Sequence, residues 1–378
     1  MPWKEATPMS SRLEFILLVQ QPGANVAALC RSFGVSRKTA YKWLERYRSD
    51  GENGLQDQSR KPHMSPTIAS ASLESAVLRL NEQYPCWGAR KLRALLPPTL
   101  ERPHHSTVGA ILRRHERSVL GAPSKADSAP LRFEHDAPNL LWQMDFKGHF
   151  ALTDSDAGRC YPLTVLDDHS RFNLCLAACA NERRGAVQAA LISTFEHYGL
   201  PQRITADNGN PWGTTGHGGI SQLGVWLVRL GVRLSHSRPY HPQTQGKDER
   251  FHRTLKLELL ERRGFNSLAD CQSAFDVWRD RYNLIRPHEA LDQKAPVTRY
   301  QASGRAYPAV LPVIEYDSGT LVRKVGNKGE IQYLAQRHFV SEGLRNEFVA
   351  LKPTDTDGIL DVYFCDYRIR QIDVRISA

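Results

Sequence analysis

The chain has 378 residues, too many for one typical domain and enough for two to four, each able to bury its own core. Its net charge of +10 and pI of about 9.3 favour polyanionic partners. Seven scattered cysteines without paired CxxC spacing indicate neither a disulfide framework nor a zinc module, and fit a reducing compartment. The apolar run "FILLV", Phe15 to Val19, is too short for a signal peptide or a membrane span, so the expected location is cytoplasmic, in association with the nucleoid.

In chain order, "NVAALCRSFGVSRKTAYKWLERY" (Asn25 to Tyr47) spaces Val26, Leu29 and Phe33 for one helix and Ala40, Trp43 and Leu44 for another. Gly34 permits the turn between them, and Ser36 is placed to cap the second helix. Arg37, Lys38 and Lys42 then project from the second helix, the face that a helix-turn-helix lays in the major groove. A helical hairpin with a solvated basic face is the plainer alternative. The predicted domain spans 10–50. The polar stretch Ser49 to Pro66 reads as a linker. A second helix-turn-helix-like domain is predicted over 66–120, with Ser106 as a cap and Arg113, Arg114 and Arg117 on its last helix. Residues 1–136 hold 20 Lys and Arg against 13 Asp and Glu, so most of the excess charge sits in the proposed DNA-binding third. A second linker, Gly121 to Asn139, precedes a new domain.

From "LLWQMDFKGHF" onward the pattern runs strand, strand, strand, helix, strand, helix, strand, helix, as in a mixed α/β sheet covered by helices, predicted over 137–300. Asp145 lies in the first strand, Asp207 at the end of "QRITAD", and Asp248 and Glu249 in the late basic helix within "HPQTQGKDERFHRTLK". Hard carboxylate oxygens suit Mg²⁺ or Mn²⁺, and two such ions assist displacement at a phosphodiester. At 100° per residue Asp248 shares the apolar stripe of Phe251, Leu255 and Leu259, whereas Glu249 shares a face with Arg253 and Lys256. Glu249 is therefore the expected ligand, and Asp248 the residue that favours the helix dipole. On spacing alone, an exposed i,i+4 ion pair between Glu249 and Arg253 is the stronger reading.

The segments "WQMDF", "TADNG", "HPQTQGKDERFHRTLK" and "YNLIRPHEAL" resemble, in order and spacing, the core of insertion-sequence DDE transposases of the retroviral-integrase type, insertion sequence family 481 among them. With the two helical units and "GLQDQSRKP", the resemblance spans roughly residues 10 to 300. It implies a ribonuclease H-like core, with Asp145, Asp207 and Glu249 as catalytic ligands of two Mg²⁺ or Mn²⁺ ions, Asp145 touching both. It also implies that Arg253 and Lys256 approach the DNA end. The interval from Asp207 to Glu249 is longer than is usual in the wider family, the surplus lying near the glycine-rich "NPWGTTGHGGIS", read here as a flexible loop beside the site.

Asp167 and Asp168, in "LDDHSR", read as a turn between strands rather than as metal ligands. His236, His241, His252 and His288 lack finger spacing, so no zinc is expected; His252 and His288 are read as surface or packing residues, with phosphate contact as the alternative. From about Pro308, alternating segments ("VIEYD", "TLVRKVGNKGEIQYL", "EFVALKP", "ILDVYFCDYRIRQIDV") predict a small β-barrel over 308–378 with a hairpin at Asn327 to Glu330.

The expected function is a DNA transposase that binds the ends of a mobile element, frees a 3′ hydroxyl and transfers it to target DNA. Its partners would be double-stranded DNA and further copies of itself, with no membrane and no nucleotide cofactor. A non-catalytic DNA-binding regulator and a metal-dependent nuclease without strand transfer are the rival readings.

Overall fold

The computed structural model describes residues 7–58, 69–117, 134–154, 158–209, 211–213, 219–236 and 246–375, in two compact units, 1–68 and 69–378. Residues 59–66 of the first predicted linker, most of the second, and His241 lie outside the described residues.

The first unit is three helices, α1 (Pro8–Val19), α2 (Val26–Ser32) and α3 (Arg37–Asp50). Gly34 takes φ +65° in the turn, and the Ser36 hydroxyl accepts from Thr39 N at 3.1 Å, so the turn and cap have the form expected. Phe15, Ile16, Cys30, Ala40 and Leu44 form its core. One expectation fails: the stretch from Ser49 is not linker at its start. A 3₁₀ turn, Gly51–Leu55, returns the chain so that Leu55 is fully buried among those residues.

The second unit begins with α4 (Ala71–Gln83), α5 (Ala89–Ala94) and α6 (His105–Arg114) around Val77, Trp87, Leu92, Val108 and Ile111. Ser106 is not the cap of α6. The helix starts one residue earlier, and the His104 ring accepts from Ser106 N. Arg117 falls beyond the end of α6, where it pairs with Glu82 at 3.4 Å.

The core follows as β1 (Trp142–Phe146), β2 (Phe150–Ala151), β3 (Arg159–Asp167), β4 (Asn173–Cys179), α7 (Arg184–Tyr198), β5 (Arg203–Ala206), α8 (Gln222–Arg229), β6 (Arg233–His236), α9 (Gly246–Leu255) and α10 (Leu268–Leu284). β3 pairs antiparallel with β1, β2 and β4, while β1, β5 and β6 run parallel. One face packs on α7 and α8 through Met144, Leu163, Val165, Leu191, Phe195 and Leu227. The other packs on α9 and α10 through Leu166, Leu176, Phe251, Leu255, Phe275 and Trp278. Every residue of α8 from Leu223 to Val228 is buried, which an apolar helix accepts only when covered on all sides.

That cover comes from the C-terminal region, made of β7 (Leu321–Lys324), β8 (Glu330–Tyr333), β9 (Gln336–Phe339), β10 (Phe348–Pro353), β11 (Ile359–Phe364) and β12 (Tyr367–Asp373). Ile220, Val225 and Val228, on and beside α8, join Val325, Ile331, Val349, Val362 and Phe364 in one cluster. The expected barrel is not formed among the described residues: β12-β11-β10-β7 is an open four-stranded sheet and β8-β9 a separate ribbon. Apolar residues that a barrel would enclose are buried against α8 instead. "VIEYD" forms no strand, and the turn at Asn327 to Glu330 does not join paired strands, because β7 pairs with β10 and β8 with β9. The β8-β9 turn uses Leu334 and Ala335, both at positive φ.

Buried Ser341 fastens this region to the core, its hydroxyl donating to Ile220 O at 2.7 Å and accepting from Ile220 N at 3.0 Å. Ser341→Ala is expected to cost about 1–3 kcal/mol in urea unfolding. Truncation before Leu321 should lower Tm further and expose α8 to a hydrophobic dye.

Candidate active site

Asp145 stands near the end of β1, the central antiparallel partner of β3, with its side chain 28% exposed. Asp207 immediately follows β5, the parallel neighbour of β1. The two carboxylates feel each other: burial first, and then the charge of Asp207, raise Asp145 to about 6. Asp207 is oriented by Gly209 N at 2.9 Å and by the indole N–H of Trp212, while its carbonyl accepts from His236 Nδ1 at 2.8 Å. Trp212 is buried and stacks on Phe146, so the glycine-rich segment is anchored where it passes the site. The rest of that loop, residues 214–218, lies outside the described residues.

α9 packs Phe251, His252 and Leu255 inward and leaves Glu249, Arg250 and Arg253 exposed, as is Lys256 in the turn that follows. Asp248 is buried. Burial, then the carboxylates of Asp145 and Asp168, hold it well above the usual carboxylate range, and its Oδ1 has no partner among the described residues. Its surroundings thus favour the neutral form, against the charged role at the helix dipole expected from its place in the first turn. No group of three or more His, Cys, Asp or Glu side chains is gathered in metal-holding geometry among the described residues. The structure brings Asp145 and Asp207 into electrostatic contact and leaves Glu249 on the open face of α9.

His252 lies on the inner side of α9, not its charged side. Thr164 Oγ1 donates to Asp145 O at 2.9 Å, so it must accept from His252 Nε2 at 2.8 Å, which leaves Nδ1 unprotonated 3.8 Å from the Asp145 carboxylate. Burial, then Lys147, lower this imidazole to about 4, and it is neutral near pH 7. His288 is likewise enclosed, edge-on to Tyr282, and burial lowers it strongly. Neither offers a cation to phosphate.

Asp167 and Asp168 sit in the β3–β4 turn and are fully engaged. Asp167 accepts from Ser170 N at 2.7 Å and Asn139 N at 2.8 Å. Asp168, 1% exposed, accepts from His135 N at 2.9 Å, from Gln143 Nε2 at 2.7 Å and from the Lys247 ammonium. Burial alone would raise Asp168, but Lys247 and His135 outweigh it and hold it below the usual range. This carboxylate thus ties β1, two residues before Asp145, to α9, two residues before Glu249. Sequence reasoning missed Lys247, Gln143 and Trp212; their only signals were adjacency to the acids and a lone "PW" in a glycine-rich loop.

Of the other cations singled out, Arg37, Lys38 and Lys42 are exposed on α3 and Arg113 on α6. Arg114 pairs with Glu74 at 3.2 Å, and Lys256 with Glu261 at 3.3 Å.

Residues 135–242 and 230–296 match integrase core domains, and residues 320–378 match the IS481 family transposase C-terminal domain. By these matches the middle of the chain is similar to integrase cores and its C-terminal region to that of IS481 family transposases. Ahead of this integrase core, residues 11–63 match a helix-turn-helix domain and residues 39–112 a homeodomain-like domain. The chain is 26% identical over 247 residues to an uncharacterized insertion element IS476 protein of Xanthomonas euvesicatoria, covering 65% of this chain and 68% of the relative. It is 25% identical over 283 residues to an IS407 protein of Burkholderia multivorans, covering 73% and 90%. The transposase of transposon Tn552 from Staphylococcus aureus is 22% identical over 338 residues, covering 79% and 68%. Among solved structures, the HTLV-2 integrase catalytic core with magnesium overlays 44% of this chain and 99% of its own at 15% identity and TM-score 0.34. A simian T-cell lymphotropic virus intasome chain overlays 79% and 100% at 18% identity and TM-score 0.38. The mixed sheet with helices on both faces is the ribonuclease H-like arrangement that the sequence led us to expect.

Breaking the pair beneath the site should be costly, because it strands a buried charge. Asp168→Asn or Lys247→Met is expected to lose about 3–5 kcal/mol in chemical denaturation. The double variant should recover most of that loss.

Proposed function

We propose that the chain is a DNA transposase that binds the ends of a mobile element, hydrolyses a phosphodiester to free a 3′ hydroxyl, and joins that hydroxyl to target DNA. The observation that carries this reading is the pairing of Asp145 and Asp207 across adjacent parallel strands, with Asp145 raised by burial and by its neighbour's charge, inside an integrase core.

A carboxylate whose ionisation is opposed by burial and by a neighbouring carboxylate fits a divalent cation, since hard oxygen ligands suit Mg²⁺ or Mn²⁺ and a cation offsets that repulsion. Asp145, Asp207 and Glu249 would hold the ions, two per site, which supply Lewis acidity to the phosphoryl oxygens. Glu249 is exposed on the face of α9 that also carries Arg253 and Lys256, so the third ligand and the cations that meet the DNA end share one surface. In the first step water attacks phosphorus and the 3′ oxygen leaves. In the second, the freed 3′ hydroxyl attacks a target phosphodiester and displaces its 3′ oxygen. Both are the same displacement at one site, so no covalent enzyme intermediate and no nucleotide cofactor enter.

Arg37, Lys38 and Lys42 on α3, with Arg113 and Arg114 on α6, are the proposed readers of the element end. Joining two ends calls for at least two protomers on DNA.

The test is a cleavage and joining assay with purified protein, labelled DNA flanking its own gene, and Mg²⁺ or Mn²⁺. Glu249→Gln should abolish metal-dependent products and leave end binding within about twofold, because an amide does not replace a charged ligand. Products that persist in this variant would remove Glu249 from the site; nicks without joined products in the wild type would favour a nuclease. Specific binding without products would favour a regulator. In parallel, Mg²⁺ should raise the Tm of the wild type and not that of Asp145→Asn, whose metal-free Tm should already be higher at pH 8.

A further inference from the structure

Where the second helical unit meets the integrase core, α5 contributes Arg90 and Lys91, α9 contributes Arg250, and Arg286 follows α10. Two carboxylates answer these four cations, and both are already used. Glu258 is bound by Arg286 at 2.8 Å and by the Trp87 indole at 3.1 Å, and Glu289 pairs with Arg90 at 2.7 Å. Lys91 is half-buried, and its ammonium has neither a hydrogen bond nor an ion pair among the described residues. Burial and then Arg286 lower it to about 8, with Arg250 adding to the repulsion and the two glutamates opposing it. The neighbouring His288 is neutral and brings no negative charge. An ammonium held in this way, without a partner and facing like charge, is incomplete unless an anion supplies both hydrogen-bond acceptors and charge.

Arg250 says from which side that anion comes. It is exposed, lies one residue after Glu249 on α9, and has no carboxylate partner among the described residues. At 100° per residue it is turned from the Glu249, Arg253 and Lys256 face toward the flank that bears α5, while His252 is turned toward Asp145. We propose that this seam is a binding site for a DNA backbone phosphate, held by Lys91 and Arg250, so that DNA leaving the carboxylates is gripped before it reaches α6. The inference rests on the transposase reading and assigns a contact that joins its reading unit to its cutting unit.

The test uses the full chain, element-end DNA and EDTA, with Kd measured from about 50 to 300 mM salt for wild type, Lys91→Met, Lys91→Arg and Arg250→Gln. Loss of one phosphate contact should reduce the slope of log K against log salt by about 0.9 and weaken binding about eightfold near 0.1 M salt in Lys91→Met. Lys91→Arg should retain the slope, and Arg250→Gln, a fully exposed change, should lose part of it. Ethylation of one backbone phosphate near the cleavage position should interfere with wild-type binding and not with Lys91→Met. The Tm of Lys91→Met should equal or exceed that of the wild type, since an unpartnered ammonium is replaced by an apolar chain. Unchanged slopes in both variants, with wild-type binding and cleavage intact, would overturn the seam and leave the transposase reading standing. A wild type that binds no element end would overturn both. Stabilisation of the wild type by millimolar inorganic phosphate, without any interfering backbone phosphate, would reassign the site to a free anion.

Discussion

The buried carboxylate of Asp168 is the constraint on which the site depends. It accepts bonds from the chain entering the core at His135, from Gln143 on β1 and from Lys247 at the head of α9. Asp167 beside it holds Asn139 and closes the β3–β4 turn through Ser170. A buried charge of this kind is tolerated only when every lone pair is used, and using them fixes several segments against one another at once. Asp145 and Glu249 sit on two of those segments, each two residues beyond the tie. The catalytic assignment therefore rests on a framework whose own acids are too well satisfied to bind a metal.

Around that framework lies a surplus of negative charge. Asp145, Asp207 and Asp248 converge near the end of β1, and the molecule answers the crowding in two ways. Asp248, enclosed between α9 and the sheet, is pushed toward its neutral form. Asp145, still partly open, shifts only as far as about 6, so its charged form is available near neutral pH and a cation would stabilise it. Exposure separates the two: the acid open to solvent keeps its charged form within reach, and the enclosed one is pushed toward neutrality.

What was legible in the sequence was whatever local pattern determines. The order of core strands and helices, the first helix-turn-helix with its Gly34 turn and Ser36 cap, and the two faces of α9 all follow from periodicity and capping chemistry. The failures are tertiary. Leu55 looks like linker because its burial depends on α1 and α3 in space. The C-terminal strands look like a barrel because alternation reports two-sidedness and not the partner of the buried side, which is α8. The β8-β9 turn was missed because Leu334 and Ala335 adopt positive φ that neither residue advertises. Lys247 appeared to be one more basic residue; only the buried Asp168 opposite it gives it a role.

The same logic applies to the segment Tyr84-Pro85-Cys86-Trp87, which composition alone would leave as an apolar turn. In the structure Tyr84 and Trp87 stack at 4.0 Å, and the Trp87 indole donates to Glu258, a residue in a π-helical turn, Lys256–Leu260, that continues α9. Cys86 contacts the same turn at Leu257 O, and Arg262, two residues beyond it. A π turn widens the helix by one residue and shifts the side chains that follow it, which is why such turns tend to persist where they place a functional group. Here the widened turn delivers Glu258 to Trp87 on one side and to Arg286 on the other. The second helical unit is thereby docked on the helix that carries Glu249, so displacing the unit on DNA would load that helix directly. Reading and cutting would then be coupled through these contacts.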